Sequence, residues 1–133
     1  MEKRRVNAII NVPCSLEKSF FERWLEFLAP FHTLTNRERE VAACFLKHRY
    51  ILSKAITDND VLDRVVMSEE TKKKVREECN ITTSYFQVIM GKFKQTKFIV
   101  DNKINPKLIP KGISKDDTSF QLLLNFDLNA GDN

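Results

Sequence analysis

The residues able to do chemistry fall into one dense group and a few scattered pairs. Between Ile81 and Lys111 the bases are Lys92, Lys94, Lys97, Lys103, Lys107 and Lys111, against a single acid, Asp101. Among them stand Thr83, Ser84, Tyr85 and Gln87, which can hydrogen bond or stack. Lysines at this density meet phosphate oxygens, and a glutamine between them can bond bidentately to adenine. The expected chemistry is contact with duplex DNA through Thr83, Ser84, Tyr85, Gln87, Lys92, Lys94, Lys97, Lys103 and Lys107. The competing use is a solvated face on a module that binds another protein.

The other candidates are weaker. Cys44 and His48 sit four apart and share a helix face. Two ligands do not make a structural zinc site, which needs four, and the sequence holds no CxxC or HxxxH. Asp58, Asp60 and Asp63 suggest a cation loop, but no glycine turn or distal glutamate completes it, so capping is their expected role. His32 reads as a packing or turn residue. Glu69-Glu70 and Glu77-Glu78 lie on charged helix surfaces. There is no phosphate-cradling glycine loop and no nucleophile elbow. No enzymatic activity, cofactor or metal is expected.

The basic group needs a scaffold, and Ser68–Pro110 supplies one. Ser68 followed by Glu69 and Glu70 predicts a helix start, and Asn80 suits a left-handed stop. Thr82 or Thr83 then caps a second helix. In it Phe86, Ile89, Met90 and Phe93 recur at i, i+3, i+4 and i+7, one apolar stripe facing inward. The outward positions are Ser84, Tyr85, Gln87, Gly91, Lys92, Lys94 and Gln95. Phe98-Ile99-Val100 reads as a strand, Asp101-Asn102-Lys103 as a turn, and Ile104 as a short return strand limited by Pro106. Helix, tight turn, helix and hairpin in that order is a winged helix-turn-helix. Its second helix would enter a major groove while the wing touches phosphates.

The rest of the chain must pack around this unit. Thr35 with Glu38 forms a capping box, followed by an apolar face of Val41, Phe45, Leu46 and Leu52. Leu34–Val41 resembles the opening of the helix-turn-helix in quorum-sensing-type response regulators over eight residues. A long helix and an acidic connector follow here instead of that family's next helices, so the likeness is one of capping chemistry. Thr57–Met67 reads as a short helix. Ser15 is expected to begin a helix ended by Pro30, with Leu16, Phe20, Phe21, Trp24, Leu25, Phe27 and Leu28 in a wide apolar stripe. After a basic start at Met1–Arg5, residues 6–12 alternate as a strand does. So do residues 120–128, and the two are expected to pair, extend the wing, or add to a neighbouring subunit's sheet.

Composition sets the outer bounds. The 133 residues are 42% hydrophobic and 30% charged, with net charge +4, enough apolar content for one ordered domain over 1–133. The winged-helix core would occupy about 34–110. The fold class is α+β, mostly α. No apolar run reaches membrane-spanning length, no signal-peptide pattern opens the sequence, and three widely spaced cysteines predict reduced thiols.

Several segments together resemble one family. They are Asn11-Val-Pro with the following Phe-Phe and Trp24, LAPFHTLTNRE, LKHRYILSK, DVLDRVVMSEETKKKVREECNI, FQVIMGKF, DNKINPKLIP and FQLLLNFD. Across about Asn11–Asp127 the chain is similar to small proteins of crAss-like and related tailed phages of gut Bacteroidales. The resemblance implies a viral protein in the host cytoplasm or the virion, and carries over no binding or catalytic residue. Two functions are then expected to compete. One is a non-enzymatic DNA-binding protein of transcription, replication or packaging. The other is a virion component, such as a connector, ring or capsid accessory subunit, whose partners are other phage proteins or further copies of itself through the terminal strands.

Overall fold

The longest helix starts where the sequence places its capping box. The Thr35 hydroxyl accepts the Glu38 N–H at 3.3 Å, and the Glu38 carboxylate accepts the Thr35 N–H at 3.1 Å. The structure is a computed structural model that describes residues 5–17, 19–114 and 116–129. The elements are α1 (Phe20–Phe27), α2 (Ala29–His32), α3 (Asn36–Ser53), α4 (Asn59–Val66), α5 (Glu69–Glu78), α6 (Thr83–Gln95), β1 (Ile99–Val100) and β2 (Lys103–Ile104), followed by a 3-10 turn at Pro106–Leu108. The fold is α+β and mostly helical, and its β part is one antiparallel hairpin.

Caps set the remaining boundaries. Asp58 accepts the N–H groups of Asp60 and Val61 at the start of α4, so its carboxylate caps a helix. Asp63 instead pairs with Arg49 at 3.3 Å, tying α4 to α3. Ser68 accepts the Thr71 N–H ahead of α5. At its other end Asn80 takes φ 52°. The Ile81 N–H reaches the Arg76 carbonyl and the Asn80 N–H the Glu77 carbonyl, the paired bonds of a Schellman motif. Thr82 then caps α6 by accepting the Tyr85 N–H at 3.1 Å. Asp101 and Asn102 both have positive φ, 54° and 57°. That is the two-residue turn whose twist matches a hairpin, so Lys103 belongs to β2 and pairs with Val100.

One apolar cluster takes residues from each of these elements except α2. Phe86, Ile89, Met90 and Phe93 are buried, as their spacing predicts. The Phe45 ring lies 6.1 Å from Phe86 and 6.2 Å from Phe93, and Phe93 lies 4.8 Å from Phe98. These edge and tilted contacts lock α6 and the hairpin onto α3. The Trp24 indole N–H donates to the Leu108 carbonyl at 2.8 Å, fastening α1 to the turn after β2.

Four expectations are corrected. The first helix begins at Phe20 and not Ser15: Ser15 and Ser19 close a turn through their own hydrogen bonds, which compete with helix. Pro30 does not end that helix. It sits in the first turn of α2, where its missing N–H has no helical partner to lose. In the expected stripe, Phe27 is 53% exposed while Phe20, Phe21, Trp24, Leu25 and Leu28 are buried.

The fourth correction concerns the terminal strands. Residues 6–12 and 120–128 form no strand, and the two-stranded sheet gains no third member. Alternation satisfies only the side chains. A strand also needs a partner edge for its backbone, and each strand of the hairpin is two residues long. Only Phe120 is anchored, edge-on to Phe20 and Trp24 at 5.4 and 5.6 Å. Ile9, Ile10, Phe126 and Leu128 stay exposed. Of the basic start, only Arg5 lies within the described residues.

Candidate nucleic-acid interface

Burying Phe86, Ile89, Met90 and Phe93 determines which way the rest of α6 faces. At roughly 100° per residue the side opposite that stripe carries Ser84, Val88, Gly91 and Gln95. All four are exposed. Gln87 and Lys94 flank this line on one side, and Tyr85 and Lys92 on the other. Lys92 and Lys94 therefore stand on opposite shoulders of the helix, and no acid lies between Thr83 and Gln95.

The hairpin extends one shoulder. Lys94, Lys97, Val100, Asp101 and Asn102 line a shallow groove where α6 meets β1. Lys97 takes φ 63° to turn the chain between them. A smaller depression beside it is lined by Lys72 and Arg76 of α5 with Gln87, Lys94 and Asn102. Glu69 closes its edge, 3.8 Å from Lys72. At the start of α6 the Thr82 cap takes the Tyr85 N–H. Among the described residues the Thr83 and Ser84 N–H groups have no protein acceptor and carry the positive end of the helix dipole.

Thr83, Ser84, Tyr85, Gln87, Lys92 and Lys94 are thus all exposed on α6, and Lys97 and Lys107 are exposed beyond it. Lys103 is half-buried on β2. Val88, 58% exposed in the centre of the face, does not belong to the expected set. Its apolar type hid it, because exposure depends on where the buried stripe falls and not on the residue alone.

No protein-family model, curated protein or solved structure matches this chain. Among the described residues no helix is long and apolar enough to cross a membrane.

A second polar cluster lies where the end of α5 packs on α3, and the sequence showed only half of it. Glu78, at the end of α5, accepts from Lys47 at 2.9 Å and from the Cys44 thiol at 3.2 Å, and His48 Nε2 lies 2.9 Å from its other oxygen. Burial alone would raise the Glu78 carboxyl, but the Lys47 and Cys44 hydrogen bonds and the His48 charge outweigh it and hold the group below its usual range. The Cys79 thiol adjoins Cys44. Hydrogen bonding to Cys79 and burial push the Cys44 thiol well up, while the same hydrogen bond and nearby Arg37 lower Cys79. Cys44 and His48 were recognisable as an i, i+4 pair. Glu78 and Cys79 come from another helix, about thirty residues on, and no local pattern announces them.

Proposed function

We propose that this chain is a non-enzymatic protein of winged-helix type that binds duplex DNA through α6 and the β1–β2 hairpin. The observation that carries the reading is the outward face of α6. It is free of acids, small or uncharged along its centre, and has lysines on both shoulders. A helix in a major groove needs this arrangement, with base-edge contacts along its middle and phosphate contacts on either side. Ser84, Gln87, Val88 and Gln95 would meet base edges. Lys92, Lys94, Lys97 and Lys107 would meet phosphates, with the Thr83 and Ser84 N–H groups adding one more. The likeness to tailed-phage proteins fits a role in phage transcription, replication or packaging.

The test is a salt titration of DNA affinity by fluorescence anisotropy, starting near ~50 mM salt. Affinity should fall with salt at a slope of roughly 0.9 per phosphate contacted. Changing Lys92 and Lys94 together to Ala should flatten the slope by about two units and weaken all sequences alike. Gln87→Ala should instead alter preference among sequences. Absence of binding at low salt, or a slope indifferent to the double change, refutes the proposal.

A second reading has its own observation. Ile9 and Ile10 near one end, and Phe126 and Leu128 near the other, expose large apolar side chains. Such segments suit assembly with other subunits, as in a virion component, where each could add a strand to a neighbour's sheet. A concentration-dependent mass by light scattering, without DNA binding, would favour it.

A further inference from the structure

Sulfur, nitrogen and oxygen donors converge between α3 and the end of α5. Cys44 and His48 stand one turn apart on α3, and Glu78 faces them across the helix interface. Their donor atoms all lie within 4.8 Å of one another. Cys79, next in the chain, is half-buried at the same end of α5. The Glu78 carboxylate already draws the Cys44 thiol, the Lys47 ammonium and the His48 ring to one point.

We propose that Cys44, His48 and Glu78 bind a divalent metal ion of the zinc class, with a water completing its coordination. The mixed donor set selects a borderline-soft ion over calcium or magnesium, which take oxygen. Zinc bonds of about 2.0–2.3 Å in a tetrahedron place donors roughly 3.3–3.8 Å apart. The 2.9 Å His48–Glu78 contact opens by well under an ångström to reach that range, and the Cys44 sulfur lies within 4.8 Å of both partners. On binding, the Cys44 thiol releases its proton to solvent, the His48 Nε2 proton that faced Glu78 is lost or moves to Nδ1, and the ion exchanges coordinated waters for one sulfur, one nitrogen and one oxygen. Glu78 Oε1 turns to the ion while Oε2 keeps Lys47.

Charge is balanced locally. One thiolate and one carboxylate match the two positive charges of the ion, and Lys47 keeps its own contact 2.9 Å from Glu78. Arg37 donates to the Cys79 carbonyl at 2.7 Å and holds that residue in place. The ion would clamp α3 to the end of α5, just ahead of the Asn80–Ile81 turn that sets the direction of α6.

The experiment uses the full chain with Cys14→Ser, since Cys14 is exposed and outside the cluster, and Co2+ as the probe. Saturable one-to-one binding is expected. It should show a thiolate-to-cobalt charge-transfer band and the intense visible bands of four-coordination, both bleached by Zn2+. His48→Ala and Glu78→Gln, at the exposed side of the cluster, should each weaken binding by about tenfold or more, since even indirect partners of metal ligands contribute 10–100-fold. Cys44→Ser should remove the charge-transfer band, and Cys79→Ser should leave it. Zinc should shield the Cys44 thiol from alkylation. A weak six-coordinate spectrum, no saturation, or binding indifferent to His48→Ala and Glu78→Gln overturns the proposal. The readout is independent of DNA, so this site and the DNA interface fail or stand separately.

Discussion

Gly91 sits in the middle of α6, on its exposed side. A Cβ built there meets nothing within 4 Å, and its φ is not in the left-handed region. The fold itself therefore gives no reason for glycine. In an exposed helix interior Gly is less stable than Ala by roughly 0.5–1 kcal/mol, because it loses more backbone freedom on folding. Gly91→Ala should accordingly stabilise the protein by about that amount, which in a chain of this size raises Tm by roughly 2–5 °C. Urea unfolding followed by circular dichroism and by Trp24 fluorescence measures it. The same substitution should harm DNA binding. Gly91 lies on the line of Ser84, Val88 and Gln95, where helix backbone and base edges would approach most closely. A methyl group inserted there should weaken binding by about tenfold, comparable to one lost base contact of roughly 1–3 kcal/mol. Stability up and affinity down is the expected signature. A destabilised variant would mean that the facing of α6 is wrong. A stabilised variant that binds DNA as well as the parent would show that this line does not meet the duplex.

Three further perturbations test other parts of the structure. Phe93→Ala removes a fully buried ring that touches Phe45 and Phe98 and should destabilise by about 3–5 kcal/mol in denaturant unfolding; a parent-like melt would remove Phe93 from the core. His32 is buried, with Nε2–H donating to the Leu25 carbonyl at 2.6 Å and Nδ1 accepting the Leu34 N–H at 2.9 Å. Burial lowers its pKa despite the Leu25 hydrogen bond. The unfolded chain therefore takes up this proton first, so the contribution is full above about pH 6.5 and is lost as pH falls below it. His32 ring NMR should show a midpoint below the ordinary value, and one at or above it contradicts the buried neutral ring. Truncation after Phe120 should leave the melting temperature nearly unchanged while reducing self-association, whereas removing Phe120 as well should cost about 0.5–1.5 kcal/mol from its two edge-on ring contacts. Equal stability of the two truncations would mean that Phe120 does not anchor the chain.

The parts of this protein legible in the sequence are those governed by near neighbours. Thr35 with Glu38, Ser68, Thr82 and Asn80 each act within a few residues on the backbone that carries them, so the ends of α3, α5 and α6 follow from residue types alone. The stripe from Phe86 to Phe93 is likewise a local period, and it turned the lysines outward. What only the tertiary structure decided depends on distant partners. The alternation at residues 6–12 and 120–128 had the side-chain pattern of strands but no edge to bond to. Val88 became part of a polar face because the buried stripe lies opposite it. Cys44 and His48 remained a bare pair until packing of α5 on α3 set Glu78 and Cys79 beside them. A period or a cap is written in consecutive residues, while a partner across the fold exists only after the chain has closed.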